Sequence, residues 1–148
     1  RDPLDVNLVG VLHGTQSYLR LLQKSEAGGV LINISSGAAR WGYAGWGAYC
    51  SGKAAVDRLT ECVQLEEKEL GLRAHSVAPG VIDTDMQALI RSKTPEEFPA
   101  LQKFLDLKTN DSFSSVDYVA DLLWNLAFDP ATPSEDVVVG FPPEHEKK

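Results

Sequence analysis

The stretch GVLINISS, residues 29–36, constrains the fold more than any other: a short β-branched apolar run that follows two glycines and ends in two serines. A run of this kind reads as a strand buried on both faces, which is the habit of parallel sheets. LRAHSVAPG, residues 72–80, is a second such run, stopped by Pro79-Gly80, and EDVVVG, residues 135–140, is a third. Between them lie segments with helical spacing. Residues 5–24 carry Leu8, Val11, Leu12, Thr15, Leu19 and Leu22 on one stripe, and residues 47–70 form a long helix closed by Gly71 as its C-cap. Residues 81–92 begin a further helical stretch, and Asp117 to Phe128 form an amphipathic helix introduced by Ser114 or Ser115 as N-cap. Helix and strand in alternation predict a parallel sheet with crossovers, an α/β fold, in a single domain over residues 1–148. Residues 93–112 read as a mobile segment and the tail FPPEHEKK, 141–148, as loose.

Composition narrows the function classes. A formal charge of −7, with acids scattered through the helices, argues against nucleic acid or an anionic membrane as partner. No apolar run approaches the roughly 20 residues that span a bilayer, and the opening RDPLDVNLVG lacks the layout of a signal peptide; the reading is a cytoplasmic protein. Cys50 and Cys62, twelve residues apart on one helix, are separated by roughly 18 Å, too far for a disulfide. With His13, His75 and His145 scattered, no metal site is expected. No G-x-G-x-x-G or P-loop pattern occurs.

Tyr49 and Lys53 stand at i and i+4 in AYCSGKAA, so a phenol and an ammonium project from one helix face amid small residues. A phenol needs its pKa lowered by about 3 units, roughly 4 kcal/mol, to work near neutrality, and a nearby cation acts in that direction. Packing of the ring with a snorkelling lysine is the alternative. Ser36 ends the first strand, at the carboxyl edge where ligands of open parallel sheets sit, although a strand-end serine also serves simply as a turn former.

Taken together, NISS, then Tyr49 thirteen residues after Ser36, then Lys53, then APGVIDTDM resemble the short-chain dehydrogenase/reductase family, and DVNLVG is similar to its segment with an active-site asparagine, here Asn7. The resemblance runs from Asp5 to about Gly140 and corresponds to the C-terminal part of a member. It implies a Rossmann-type, doubly wound fold and reversible hydride transfer between a nicotinamide cofactor and a carbonyl or alcohol. Tyr49 would be the general acid, Lys53 would hold the cofactor ribose and acidify the phenol, Ser36 would bond the substrate oxygen, and Asn7 would anchor a proton-relay water. Pro79, Gly80, Ile82 and Thr84, with Tyr49 and Lys53, would hold the cofactor. Trp41, Tyr43 and Trp46 would wall a substrate pocket, or else pack between loop and core. Residues 85–110 resemble the variable substrate lid, and equally suit an ordinary surface excursion.

Trp46, Cys50, Gly52, Asp83, Asp85, Met86 and Gln87 are most similar to the sepiapterin reductase and benzil reductase branch, which implies NADP, with NAD as the other possibility. Pairing of copies through helices 5–24 and 47–70, as a dimer or tetramer, follows from the same resemblance. The family's glycine turn and four earlier strands have no counterpart, so the chain reads as part of a longer protein with an unpaired strand edge, inactive as it stands. A nucleotide-binding module without turnover is the alternative function.

Overall fold

A computed structural model describes residues 4–25, 27–129 and 135–147; residues 1–3 and Lys148, the outermost ends of the sequence readings, lie outside it. Strands β1 (Gly29–Ile34), β2 (Leu72–Ala78) and β3 (Val138–Gly140) form one parallel sheet in the order β1-β2-β3. Gly29 pairs with Leu72 and Ile34 with Val77, while Ala78 pairs with Gly140. Each predicted strand is shorter than its apolar run: β1 stops at Ile34, which leaves Ser35 and Ser36 beyond the ladder, and β3 is three residues long.

Helix α1 (Gly10–Leu22) is entered through a π-helical turn, Asp5–Val9, within the single helix read from the sequence. Such turns often mark functional positions, and Asn7 sits in this one. Helix α2 (Gly47–Glu66) ends in a 3₁₀ turn, Lys68–Leu70, and then Gly71, whose φ of 71° is left-handed. Gly71 also passes so close to Gly28 that a Cβ on Gly28 would come within 2.7 Å of the Gly71 carbonyl oxygen.

α1 and α2 cover one face of the sheet, where Leu22, Val63, Leu72 and Ala74 form the core with Tyr18, Leu19, Leu31 and Leu59 around them. Val56 and Val77 are wholly buried, each worth about 1.5–3 kcal/mol by transfer. Polar bonds fix the register of α2 on the sheet. The Asn33 amide donates to Thr60 Oγ1 (3.0 Å), Ser76 Oγ donates to Asp57 (2.6 Å), and Gln64 both donates to the Leu72 carbonyl and accepts from the Ala74 amide. Helix α5 (Val116–Phe128) meets the residues that alternate to the other face, with Arg73 donating to the Ala127 carbonyl at 2.7 Å. Helices therefore flank both faces, the Rossmann-like arrangement that the alternation predicts.

Two sequence readings need correction. The segment read as mobile carries a nine-residue helix, α4 (Leu101–Thr109), beside the short α3 (Asp85–Arg91). Ile90, Phe98, Leu101 and Phe104 form a second core there, and Phe98 and Phe104 pack on Trp46, which supplies the burial that a solvated flap lacks. The tail is docked as well. Phe141 N–H bonds the Ala78 carbonyl, the Glu144 carboxylate accepts from Ser115 N–H at 2.7 Å, and Glu144–Lys147 form a 3₁₀ turn. The N-cap of α5 is Ser115, whose Oγ accepts from Tyr118 N–H, while Ser114 is buried and accepts from Glu144 N–H.

Candidate active site

A cavity of about 410 Å³ opens at the carboxyl ends of β1, β2 and β3. Parallel strands point their carboxyl ends at one edge, and the loops leaving them supply the groups that converge there. The loop after β1 brings Ser36, the start of α2 brings Tyr49 and Lys53, and the loop after β2 brings Pro79, Gly80, Ile82 and Thr84. Residues far apart in the chain thus line one space.

Ser36 has extended backbone (φ −158°, ψ 156°) and caps the 3₁₀ turn Gly37–Ala39, its Oγ accepting from Ala38 N–H at 3.2 Å. The oxygen is occupied as an acceptor, so its proton remains for a ligand. Neighbouring Ser35 is buried and faces α2, 3.5 Å from the Lys53 carbonyl. Lys53 Nζ donates to the Ile34 carbonyl at 2.8 Å and lies 5.9 Å from the centre of the Tyr49 ring. Partial burial holds the Lys53 pKa below its ordinary value, and the Asp57 carboxylate one turn along α2 opposes that shift. The Tyr49 hydroxyl bonds no described residue and is available to a ligand.

Thr84 occupies the N-cap position of α3 with extended backbone, yet its hydroxyl makes no capping bond to the helix. It too is left for a ligand. Asn7 lies outside the cavity lining: its Cβ is 3.5 Å from where a side chain on Gly52 would begin, which places it against α2 at the residue before Lys53.

The three aromatic positions part company. Tyr43 and Trp46 line the cavity, whereas Trp41 is 70% exposed and lines neither this cavity nor its neighbour. The difference is geometric, because Trp46 immediately precedes α2 and stacks on Phe98 (4.9 Å) and edge-on to Tyr49 (5.2 Å), while Trp41 follows a turn directed outward. Trp46, Tyr49 and Met86 also line a second, apolar cavity of about 580 Å³, which reaches Leu89, Ile90 and Phe98. Arg40, Lys103 and Phe141 are lining residues that no spacing in the sequence singled out. Asp83 ties the site to its flank, bonding Arg91 of α3 at 2.8 Å and Lys108 of α4 at 2.7 Å, and these two cations hold its pKa below the ordinary carboxylate value. Among the described residues no helix is long and apolar enough to cross a membrane, and no group of three potential metal ligands occurs.

Known proteins share both sequence and fold with the chain. A benzil reductase ((S)-benzoin forming) from Bacillus cereus is 38% identical over 135 residues, which cover 90% of this chain and 54% of that protein. A sepiapterin reductase from Mus musculus is 44% identical over 101 residues, 66% of this chain and 38% of that protein. The crystal structure of the KRED1-Pglu enzyme superposes with a TM-score of 0.78 at 33% identity, covering 90% of this chain and 54% of that one. The chain spans about half the length of the first of these relatives. A profile of the short chain dehydrogenases matches residues 1–95, well over half of the sequence, and with the site laid out as above the chain belongs to the short-chain dehydrogenase/reductase family.

Proposed function

We propose that the protein is a nicotinamide-dependent reductase of ketones, with NADPH preferred, whose proton donor is Tyr49. The observation that carries this reading is the convergence in one cavity of a phenol hydroxyl that bonds no described residue, a half-buried ammonium and a serine that donates its proton to no described residue. The nicotinamide cofactor, when bound, supplies the hydride. The chain's own residues suit it, since Thr84 offers an unspent hydroxyl and Gly80, at φ 86°, presents backbone without a side chain at the cavity edge.

Ser36 O–H donates to the substrate carbonyl oxygen and orients it. Tyr49 gives its proton to the same oxygen as negative charge builds there, and the Lys53 ammonium steadies the phenolate left behind. Partial desolvation strengthens that last interaction, because a charge acts further in a poorly hydrated cleft. Lys53 and the Pro79–Thr84 loop hold the cofactor's nicotinamide end. Asn7, against α2, positions a water that returns a proton to Lys53. The neighbouring apolar cavity takes a bulky hydrocarbon part of the ketone.

Tyr49→Phe tests the assignment. Oxidation of NADPH by a diketone in the full-length protein is expected to fall by about 10²–10⁴-fold. The melting temperature should stay as it was, because the lost hydroxyl bonds no described residue. Unchanged turnover would reject Tyr49 as the acid, and nucleotide binding without turnover by the parent protein would favour a binding module.

A further inference from the structure

The charge of the cavity is opposite to that of the chain. The sequence carries 21 acidic and 14 basic side chains, yet the described residues that line the cavity include Arg40, Lys53 and Lys103 and no Asp or Glu. Lys53 is accounted for by the reductase reading. Arg40 and Lys103 are not, and neither forms an ion pair with a described residue.

Both cations stand at the cavity wall on residues exposed to solvent. Lys103, on α4, donates to Tyr43 Oη at 2.8 Å and lies 5.1 Å over the Tyr43 ring, which spends one of its three N–H donors and leaves two. The Arg40 guanidinium lies against Gly140 at the end of β3, where a Cβ would come within 3.5 Å of Nη1 and 3.6 Å of Nη2. Those are ordinary contact distances, so the planar group rests on the β3 end without depending on the glycine, and its fork of donors bonds no described residue. The Gln87 carboxamide lines the same cavity as a neutral group, its oxygen buried and without a partner among the described residues. The nearby carboxylate, Asp83, is already committed to Arg91 and Lys108.

We propose that Arg40 and Lys103 together recognise a carboxylate on the substrate, so that the protein reduces oxo acids, with the carbonyl at Tyr49 and the carboxylate across the cavity. A guanidinium fork takes two carboxylate oxygens side by side, and an ammonium adds a point charge without demanding an angle. A cleft lined by one sign of charge also concentrates the opposite sign from solution. The inference rests on the reductase reading above and assigns that site its substrate class.

The test uses the full-length protein with saturating NADPH and oxo acids that have one to four carbons between carbonyl and carboxylate, each measured against its own methyl ester. Because acid and ester share cofactor and carbonyl, the ratio of their kcat/KM values reports the carboxylate alone. At least one acid should exceed its ester by about tenfold, and the ratio should shrink as salt is raised. Arg40→Gln and Lys103→Gln should each lower the ratio by about fivefold, in keeping with one partly exposed charge contact. Lys103→Glu should lower it further. Esters turned over as well as or better than every acid would overturn the proposal and leave the reductase reading standing, as would variants that lose acid and ester in parallel. No turnover of either form would overturn both.

Discussion

Lys53 shows at the scale of one residue how the site and the fold compete. Its ammonium is held half-buried against the Ile34 carbonyl, and burial lowers its pKa more than Asp57 raises it. The folded chain therefore holds this proton less tightly than the unfolded chain does, and keeping the charge at neutral pH costs stability. Lys53→Met is expected to abolish turnover yet leave the melting temperature level or raised, read by thermal unfolding beside NADPH oxidation. A clear fall in melting temperature would mean that the bond to Ile34 outweighs the burial of charge. Lys53, Tyr49 and Ser36 were legible in the sequence because their spacing is local: one helical turn, and one loop of fixed length after a strand. Arg40 and Lys103 were not, since nothing linear links two cations on separate elements 63 positions apart; only the docking of α4 on Tyr43 and Trp46 unites them. Trp41 was misplaced for the same reason, as its residue type fits a pocket and its backbone aims it at solvent.

Among elements, α2 decides most, because it presents Tyr49 and Lys53 and is bolted to both longer strands by Asn33–Thr60 and Ser76–Asp57. Within it Gly52 is buried and faces the π-helical turn at Asn7. A Cβ there would meet Asn7 at 3.5 Å and Leu4 at 3.6 Å, ordinary contact distances, so the glycine is not required by space. Gly52→Ala should stabilise the protein by about 0.5–1 kcal/mol in urea unfolding, the usual gain for this change inside a helix. A loss would show that the α1 entrance turn cannot yield even a few tenths of an ångström. Strands and long helices were readable from periodicity and glycine stops, with ends off by a few residues. α4 escaped notice because Pro95 and Pro99 in front of it look like breakers, although a proline just before a helix is compatible with one. The tail escaped because its anchors, Ala78, Ser115 and Tyr118, are contributed by other elements.

For the molecule as a whole, His75 links the sheet to pH. It is buried in β2, its Nδ1 donates to the Asp136 carbonyl at 3.0 Å, and Nε2 has no partner among the described residues. Burial lowers its pKa below the ordinary 6.5, opposed by the bond to Asp136 and reinforced by Arg73. The unfolded chain then takes up a proton before the folded one does, so stability is full above pH 6.5 and is lost as pH falls through the folded value. Urea midpoints measured from pH 8 to pH 5 should fall, and His75→Gln should flatten that slope; an unaltered slope would place the dependence elsewhere. Asp83, whose pKa is depressed from 3.8 by Lys108 and Arg91, acts in a separate and more acid window, its contribution fading only as pH drops below that figure. The sheet on which these residues sit was foreseeable as three parallel strands, whereas its second core around Trp46 was not. That indole has aromatic neighbours on several sides and borders both of the cavities described above, the charged one and the greasy one. With Tyr49 and Met86 it makes a wall common to the two, so trimming it to alanine should widen the passage between them and let a bulkier guest in.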